Sequence, residues 1–451
     1  MRRAATAAML AGVLTLSLGG CNGFLNEKKL TTNPNAPSTA TTGPLFVAAQ
    51  SDLYQQIEGQ LGRTLCIWMQ QCGGQASPFT NLNLYQYSSD DYYNNWARIY
   101  GGGGLIDLRT IENVSLVAGD SIFAGQAIVL EAMEIGLGAD IWGDIPYSQA
   151  SQPSKFSVPA SDSQRVVYDS ILTALGTAVV YLSATGPSNV GALTYDNLYG
   201  GNPANWIALA ETLRARYWMH LAARMGAPAY DSAQAAALLG ITDASGAGDF
   251  ISVHGATANT ANLWSDFQSI YAGDIYAGGT IINIMNASTD PRLPLYFDSS
   301  GLGGFFGSNV QVANSSSLSP LSATRSAQTF GQPIVTYAEN QLILAEAACQ
   351  LGHGSVALGY LQAEQTAAGA TNTTTISLNA IMTEKYVALF QNPEIWNDWK
   401  RTALPVLTPT TTIPIPRRLL YPATERSANS KTPADPTNNW NDNGPVASNC
   451  G

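Results

Sequence analysis

Apolar positions fall into helical stripes over much of this chain. Residues 45–71 carry the first, and Gly73 and Gly74 close it. Residues 121–138 are apolar around most of their circumference, interrupted by Gln126, Glu131 and Glu134, which predicts a helix buried on more than one side. Asn202-Pro203 supplies an N-cap followed by proline at the first helical position. The helix it starts places Trp206, Leu209, Leu213, Tyr217 and Leu221 on one stripe and ends at Gly226. Its arginines, Arg214, Arg216 and Arg224, lie toward the C-terminal half, where the helix dipole favours cations. Residues 336–351 repeat the pattern through Ala338, Leu342, Ala345 and Cys349, and residues 354–368 read as an antiparallel partner across a Gly-His-Gly turn. Leu378, Met382, Tyr386 and Leu389 mark one more helix.

Between these stripes the pattern lapses. Residues 240–333 are dominated by Gly, Ser, Asn and Thr, and read as a loop-rich insertion around one shorter helix near residues 271–285. Beyond Arg401 the chain is rich in Pro and Thr and reads as irregular. The expectation is an all-α fold. A tetratricopeptide-like superhelix of about four helix pairs is formed by residues 45–239 and 334–400, with an insertion at 240–333 and an irregular segment at 401–451. The four glycines at 101–104 lack the Lys-Ser/Thr of a phosphate loop, so they read as a kink or a close helix contact.

Composition narrows the classes. With 45% apolar and 12% charged residues the chain is a folded protein, and a net charge of −11 argues against nucleic acid or an anionic membrane surface as its main partner. The first twenty-one residues, MRRAATAAMLAGVLTLSLGGC, combine a positive start, a short apolar run and small residues before a cysteine. This is a lipoprotein signal, with Cys21 the lipidated first residue of the mature chain and residues 22–44 an extended tether. The body is then held at a membrane by acyl chains. Cys66, Cys72, Cys349 and Cys450 allow three pairings, of which Cys66 with Cys72 closes most easily. His220, His254 and His353 belong to no metal-ligand motif, so neither a metal nor another cofactor is expected.

Several blocks follow one another in a recognisable order. Cys21-Asn22-Gly23-Phe24-Leu25-Asn26 is followed by Thr32-Asn33-Pro34-Asn35, Gly143-Asp144-Ile145-Pro146-Tyr147-Ser148 and Asp290-Pro291-Arg292-Leu293. Tyr337-Ala338-Glu339 with Leu344-Ala345-Glu346-Ala347 comes next, then Trp396-Asn397-Asp398-Trp399-Lys400-Arg401-Thr402, and finally Ile415-Pro416-Arg417-Arg418 with Tyr421-Pro422. Together they resemble the SusD/RagB family of outer-membrane nutrient-binding lipoproteins. Asn26 stands where the family more often has Asp, and Lys400 where it usually has Arg. The resemblance implies a helical superhelix carrying a loop-rich face. It also implies a lipid-anchored protein of the outer membrane facing the cell exterior. Such a protein captures a glycan or peptide and passes it, without catalysis, to a SusC-type TonB-dependent barrel. The blocks themselves read as structural: Asp144 suits a helix-ending turn, and Glu339 and Glu346 could pin loops through Arg417 or Arg418.

Sugar recognition needs flat rings for stacking and planar polar groups for hydroxyls. Helical Trp96, Trp206, Trp396 and Trp399 are assigned to the core. Loop aromatics cluster at Tyr85, Tyr87, Tyr92 and Tyr93, at Trp264, Phe267, Tyr271 and Tyr276, and at Phe305 with Phe306. The residues expected at a ligand are Trp264, Tyr271, Phe305 and Phe306, with Asn309 and Gln311 as polar partners. A secreted glycan hydrolase and a helical scaffold binding only protein are the competing readings. No G-x-S-x-G turn supports the first. Burial of Trp264, Phe305 and Phe306 together would favour the second.

Overall fold

The computed structural model describes residues 41–435 and 446–450. The signal segment, Cys21, and the Phe-Leu-Asn and Asn-Pro-Asn blocks lie outside the described residues. The first helix among the described residues, α1 (Thr42–Glu58), starts three residues inside the expected tether, with Pro44 in its first turn, where a missing N–H costs nothing. Gly59 divides the first apolar stripe in two, so α2 (Gln60–Trp68) follows as a separate helix. Strand β1 (Cys72–Gly74), α3 (Phe79–Asn83), α4 (Tyr93–Tyr100), α5 (Leu105–Ala118), α6 (Ser121–Trp142) and α7 (Gln164–Leu182) come next. They are followed by α8 (Pro203–Met225) and α9 (Ala227–Ala237).

The insertion holds β2 (Phe250–Ile251), α10 (Leu263–Ile270), β3 (Ile275–Ala277), α11 (Gly279–Ser288) and α12 (Leu293–Tyr296). Strand β4 (Pro333–Val335), α13 (Tyr337–Gln350), α14 (Gly354–Ala367), α15 (Leu378–Ala388), α16 (Glu394–Thr402) and α17 (Ala423–Ala428) follow among the described residues. Helix α1 packs on α5, α6 on α7, α8 on α9, and α13 on α14, and each pair leans on the next. The result is the expected all-α, tetratricopeptide-like stack.

Helix α6 is its axis. Asp120 caps its N-terminus by accepting the Phe123 N–H at 3.0 Å, and almost every residue along it is buried. Its length and hydropathy would let it cross a membrane, but it is the core helix here, enclosed by α5, α7 and α8. Gly136 lets α8 come close: a Cβ there would fall on the Tyr217 ring and hydroxyl. At the tetraglycine, Gly103 takes φ +89°, and a Cβ would lie 2.8 Å from Asp52 Cβ on α1. The close-contact reading is therefore the right one.

Two expectations are corrected. The single helix near residues 271–285 is instead two, α10 and α11, separated by β3. Gly273 at φ +88° reverses the chain and Ile275 to Ala277 then pair with β1, so the apolar spacing there belongs partly to a strand. Glu339 and Glu346 do not reach Arg417 or Arg418. Arg216 on α8 grips Glu339 with two bonds, of 2.6 and 2.5 Å. Arg401 grips Glu346 with two bonds and Asp398 at 2.5 Å. These arginines come from neighbouring helices because both carboxylates face inward, away from the C-terminal loops. Disulfides join Cys66 to Cys72 and Cys349 to Cys450, the second tying the chain end to α13.

Candidate functional site

Four loops that are distant in sequence meet around the small β1–β3 sheet. Cys72 pairs with Ala277, Gly73 with Tyr276, and Gly74 with Ile275. The two glycines are required: a Cβ on Gly73 would strike the Ser308 carbonyl, and one on Gly74 the Phe79 backbone. Asn83 clamps the strand by accepting the Gly74 N–H at 2.9 Å and donating to its carbonyl at 2.7 Å. Gln75 joins the next loops. Its N–H donates to the Asp274 carbonyl at 2.7 Å and its Nε2 to the Val310 carbonyl at 3.0 Å. Its own carbonyl accepts from Gln311 Nε2 at 3.1 Å.

Beside this sheet a cleft of about 460 Å³ opens between α2, α3 and the turn before α4. Phe79 and Tyr87 supply half-buried rings, with the buried Tyr92 behind them, and Gln60, Asn81 and Gln86 supply exposed amides. Tyr87 is held between Trp68 and Tyr92, with ring centroids 5.4 and 6.0 Å away. The Tyr92 hydroxyl lies 2.8 Å from Thr64 Oγ1, and burial raises its pKa, keeping it protonated. A row of rings leads outward from the cleft. Phe79 meets Phe267 edge-on at 5.1 Å, and Phe267 stacks on Tyr271 at 5.4 Å. The Arg63 guanidinium lies 4.7 Å over Phe267, and burial pulls its pKa down to about 10.

The residues expected at a ligand separate into three groups. Tyr271 and Phe306 are exposed, at 51% and 50%, and Phe305 is half-buried. Trp264 is a correction: only 1% exposed, it lies in the core because it opens α10 and turns inward from the Asn262 cap. Asn309 is held in the structure. Its Oδ1 accepts from Gly279 N at 2.7 Å, and its Nδ2 donates to Gln70 and Thr280, both at 3.0 Å. Gln311 is exposed but tethered to Gln75. The cleft residues Gln60, Phe79, Asn81 and Gln86 escaped the sequence reading. The aromatic cluster at Tyr85 to Tyr93 was their available signal, although Tyr85 itself is buried.

Away from the cleft, Asp140, His220 and Glu394 bring three potential ligand atoms close together, all buried. His220 Nδ1 lies 2.9 Å from Asp140 and Nε2 2.7 Å from Glu394. Both ring nitrogens thus face carboxylates, and Arg216 stands 3.8 Å from Glu394. The positive charges of His220 and Arg216 hold the Glu394 carboxyl well below the usual carboxylate range.

Residues 34–422 match the family model for SusD-like proteins described as starch-binding, associating with the outer membrane. The chain belongs to this family. Among solved structures, it is similar to a chitin-binding protein (TM-score 0.73, 23% identity, 87% of this chain and 95% of that one). It is similar also to a chitin-binding SusD homolog from Flavobacterium johnsoniae (TM-score 0.73, 21% identity, covering 89% and 99%). A SusD/RagB family protein from Bacteroides thetaiotaomicron gives TM-score 0.71 at 19% identity, covering 87% and 95%. No curated protein sequence matches.

In this SusD-like chain the shared blocks hold the helices together. After Gly143, Asp144 Oδ1 accepts the Gln164 N–H at 2.8 Å, seating the start of α7. Ile145 bridges to Asp162, whose carboxylate takes the N–H groups of Tyr147 and Ser148 at 3.0 and 2.7 Å. Asp290 receives Arg292 at 2.9 and 2.6 Å, and Glu384 joins it at 2.5 Å. Lys400, the departure from the usual Arg, is buried and donates to the Asp140 carbonyl at 2.7 Å over the Trp396 ring.

Proposed function

We propose that this SusD-like protein captures an oligosaccharide in the cleft beside α2 and α3 and delivers it, without catalysis, to a SusC-type TonB-dependent barrel. It would do so as a lipoprotein anchored through Cys21 and displayed outside the cell. The observation that carries the reading is the cleft itself. Half-buried rings at Phe79 and Tyr87 stand beside exposed amides at Gln60, Asn81 and Gln86, and the row of rings from Phe79 runs on to the exposed Tyr271. Rings accept the apolar faces of a pyranose while amides serve its hydroxyls as both donors and acceptors. The binding named in the chitin-binding neighbours agrees with this chemistry.

The non-catalytic part has its own support. Two-carboxylate hydrolysis needs a pair flanking the bond, about 5–10 Å apart. Among the described residues lining the cleft, Asp91 is the one acid. Scaffolding alone is a weaker reading, since Phe306 stays exposed although Trp264 is buried.

The test is calorimetric titration of the lipid-free body with malto- and chito-oligosaccharides, with product analysis alongside. Changing Asn81 and Gln86 together to Ala should weaken binding about 10-fold or more while the circular dichroism spectrum stays unchanged. Unaltered affinity would place the ligand elsewhere. Cleavage products would overturn the non-catalytic reading.

A further inference from the structure

At one end of the stack the turn between α5 and α6 meets the long connection from α7 to α8. The Ser121 N–H donates to Asn189 Oδ1 at 2.8 Å, and Asp120 accepts the Gly191 N–H at 3.0 Å. The start of α1 closes the same end. Gln50 Nε2 donates to the Tyr195 carbonyl at 2.9 Å, and a Cβ on Gly43 would fall on the Tyr195 ring. Together these segments enclose a groove of about 300 Å³, with Thr42 and Gly43 in its wall.

This end is apolar and uncharged. Residues 113–119 and 183–195 contain no Asp, Glu, Lys, Arg or His. Val114, Val117, Val190, Leu193 and Tyr195 are all exposed there, Val117 by 91%. The bordering Asp120 and Asp196 are buried, their carboxylates taken up by backbone N–H groups, and the half-buried Glu112 stands at the edge. Apolar side chains scattered singly over a surface need no explanation, but a contiguous group marks a place of interaction. Leu193 strengthens the case. It is held at φ +47°, a left-handed backbone unfavourable to leucine, and yet presents its side chain to solvent.

The course of the chain says what lies opposite. Helix α1 begins at Thr42 in the groove wall, and the twenty residues 22–41 separate it from Cys21. A chain of that length reaches at most about 70 Å when fully extended. The membrane that holds the anchor is therefore an apolar surface within reach of this end. Lipid receives a protruding side chain such as Val117 without a shaped partner, and a tyrosine ring suits the boundary between acyl chains and headgroups. No cation in either stretch would draw anionic headgroups, so the match is to zwitterionic lipid.

We propose that this end of the stack rests in the interfacial layer of a zwitterionic lipid membrane, with Val117 and Leu193 inserted among the lipids. The proposal rests on anchoring at Cys21 and is independent of the capture cleft.

The test holds the mature chain, Asn22 onward, on phosphatidylcholine vesicles through an N-terminal hexahistidine and a nickel-chelating lipid. The result then does not depend on whether Cys21 is acylated. An environment-sensitive fluorophore is attached at Val117→Cys or, for comparison, at Leu302→Cys on the insertion, whose side chain is also exposed. The four cysteines of the body are paired in disulfides and leave the new thiol to react alone. Emission at position 117 should rise at least about 2-fold, shift to the blue and be quenched by spin-labelled lipid, while position 302 stays unchanged. Adding Leu193→Asp should abolish the rise, and aspartate tolerates the left-handed backbone there, so the fold is kept. An unchanged signal at 117, or equal signals at both positions, would overturn the membrane contact. A dimer of the vesicle-free chain in sedimentation that Leu193→Asp dissociates would give the patch to a second copy and overturn it as well.

Discussion

His220 offers a quantitative test of how this fold is held together. It lies fully buried on α8, with Asp140 of α6 at 2.9 Å and Glu394 of α16 at 2.7 Å. Tyr168 of α7 donates to Asp140 at 2.6 Å, and Arg216, one turn back on α8, faces Glu394 at 3.8 Å. Burial alone would lower the imidazole pKa, but the two carboxylates outweigh it and hold the ring charged, with a pKa raised from 6.5 to about 9. At about 1.4 kcal/mol per pH unit, this charge is worth on the order of 3 kcal/mol to the folded state. The sign follows from the raised value. The contribution is fully present below about pH 6.5 and is lost as pH rises through about 9.

The perturbation is His220→Gln, which keeps a polar side chain of similar reach but carries no charge. The assay is urea denaturation of both proteins at pH 6, 7.5 and 9.5, followed by tryptophan fluorescence. The stability difference should be largest at pH 6 and shrink by about 3 kcal/mol by pH 9.5. A difference that stays constant from pH 6 to 9.5 would refute the charged imidazole and the three-helix clasp built on it.

Two further outcomes test the packing. Glu339→Gln leaves the Arg216 guanidinium buried without its bidentate partner, so it should cost about 3 kcal/mol or more in chemical denaturation, and a cost under about 1 kcal/mol would contradict the buried pair. Gly136→Ala inserts a methyl where the Tyr217 hydroxyl sits and should destabilise by about 1–3 kcal/mol in thermal unfolding, whereas an unchanged midpoint would mean that α6 and α8 lie farther apart.

Much of the scaffold was legible because its signals are local. The Asn202-Pro203 start and Gly226 end of α8 need only capping chemistry, and the structure places both there. The all-round apolar character of α6 reports its central position without any knowledge of its neighbours. Local signals failed where a pairing spans the chain. Strand β3 resembled part of a helix because its partner β1 lies some 200 residues earlier, and three residues of strand have too short a period to show. The partners of Glu339 and Glu346 were misjudged for the same reason, since a carboxylate's position on a helix does not say which helix brings the arginine.

The binding face divides along that line. Sequence alone determined the family blocks, the helical stack and the regions where aromatic residues gather, because composition, caps and apolar period are carried by neighbouring residues. Which aromatics are open to a ligand was decided only by the tertiary structure. Trp264 and Tyr271 lie seven positions apart, yet the inward turn of α10 buries one and leaves the other beside solvent. The cleft likewise exists only because glycines 73 and 74, Asn83 and Gln75 draw separate loops against one small sheet. A surface built from segments that meet only after folding has no period or motif in the chain to announce it.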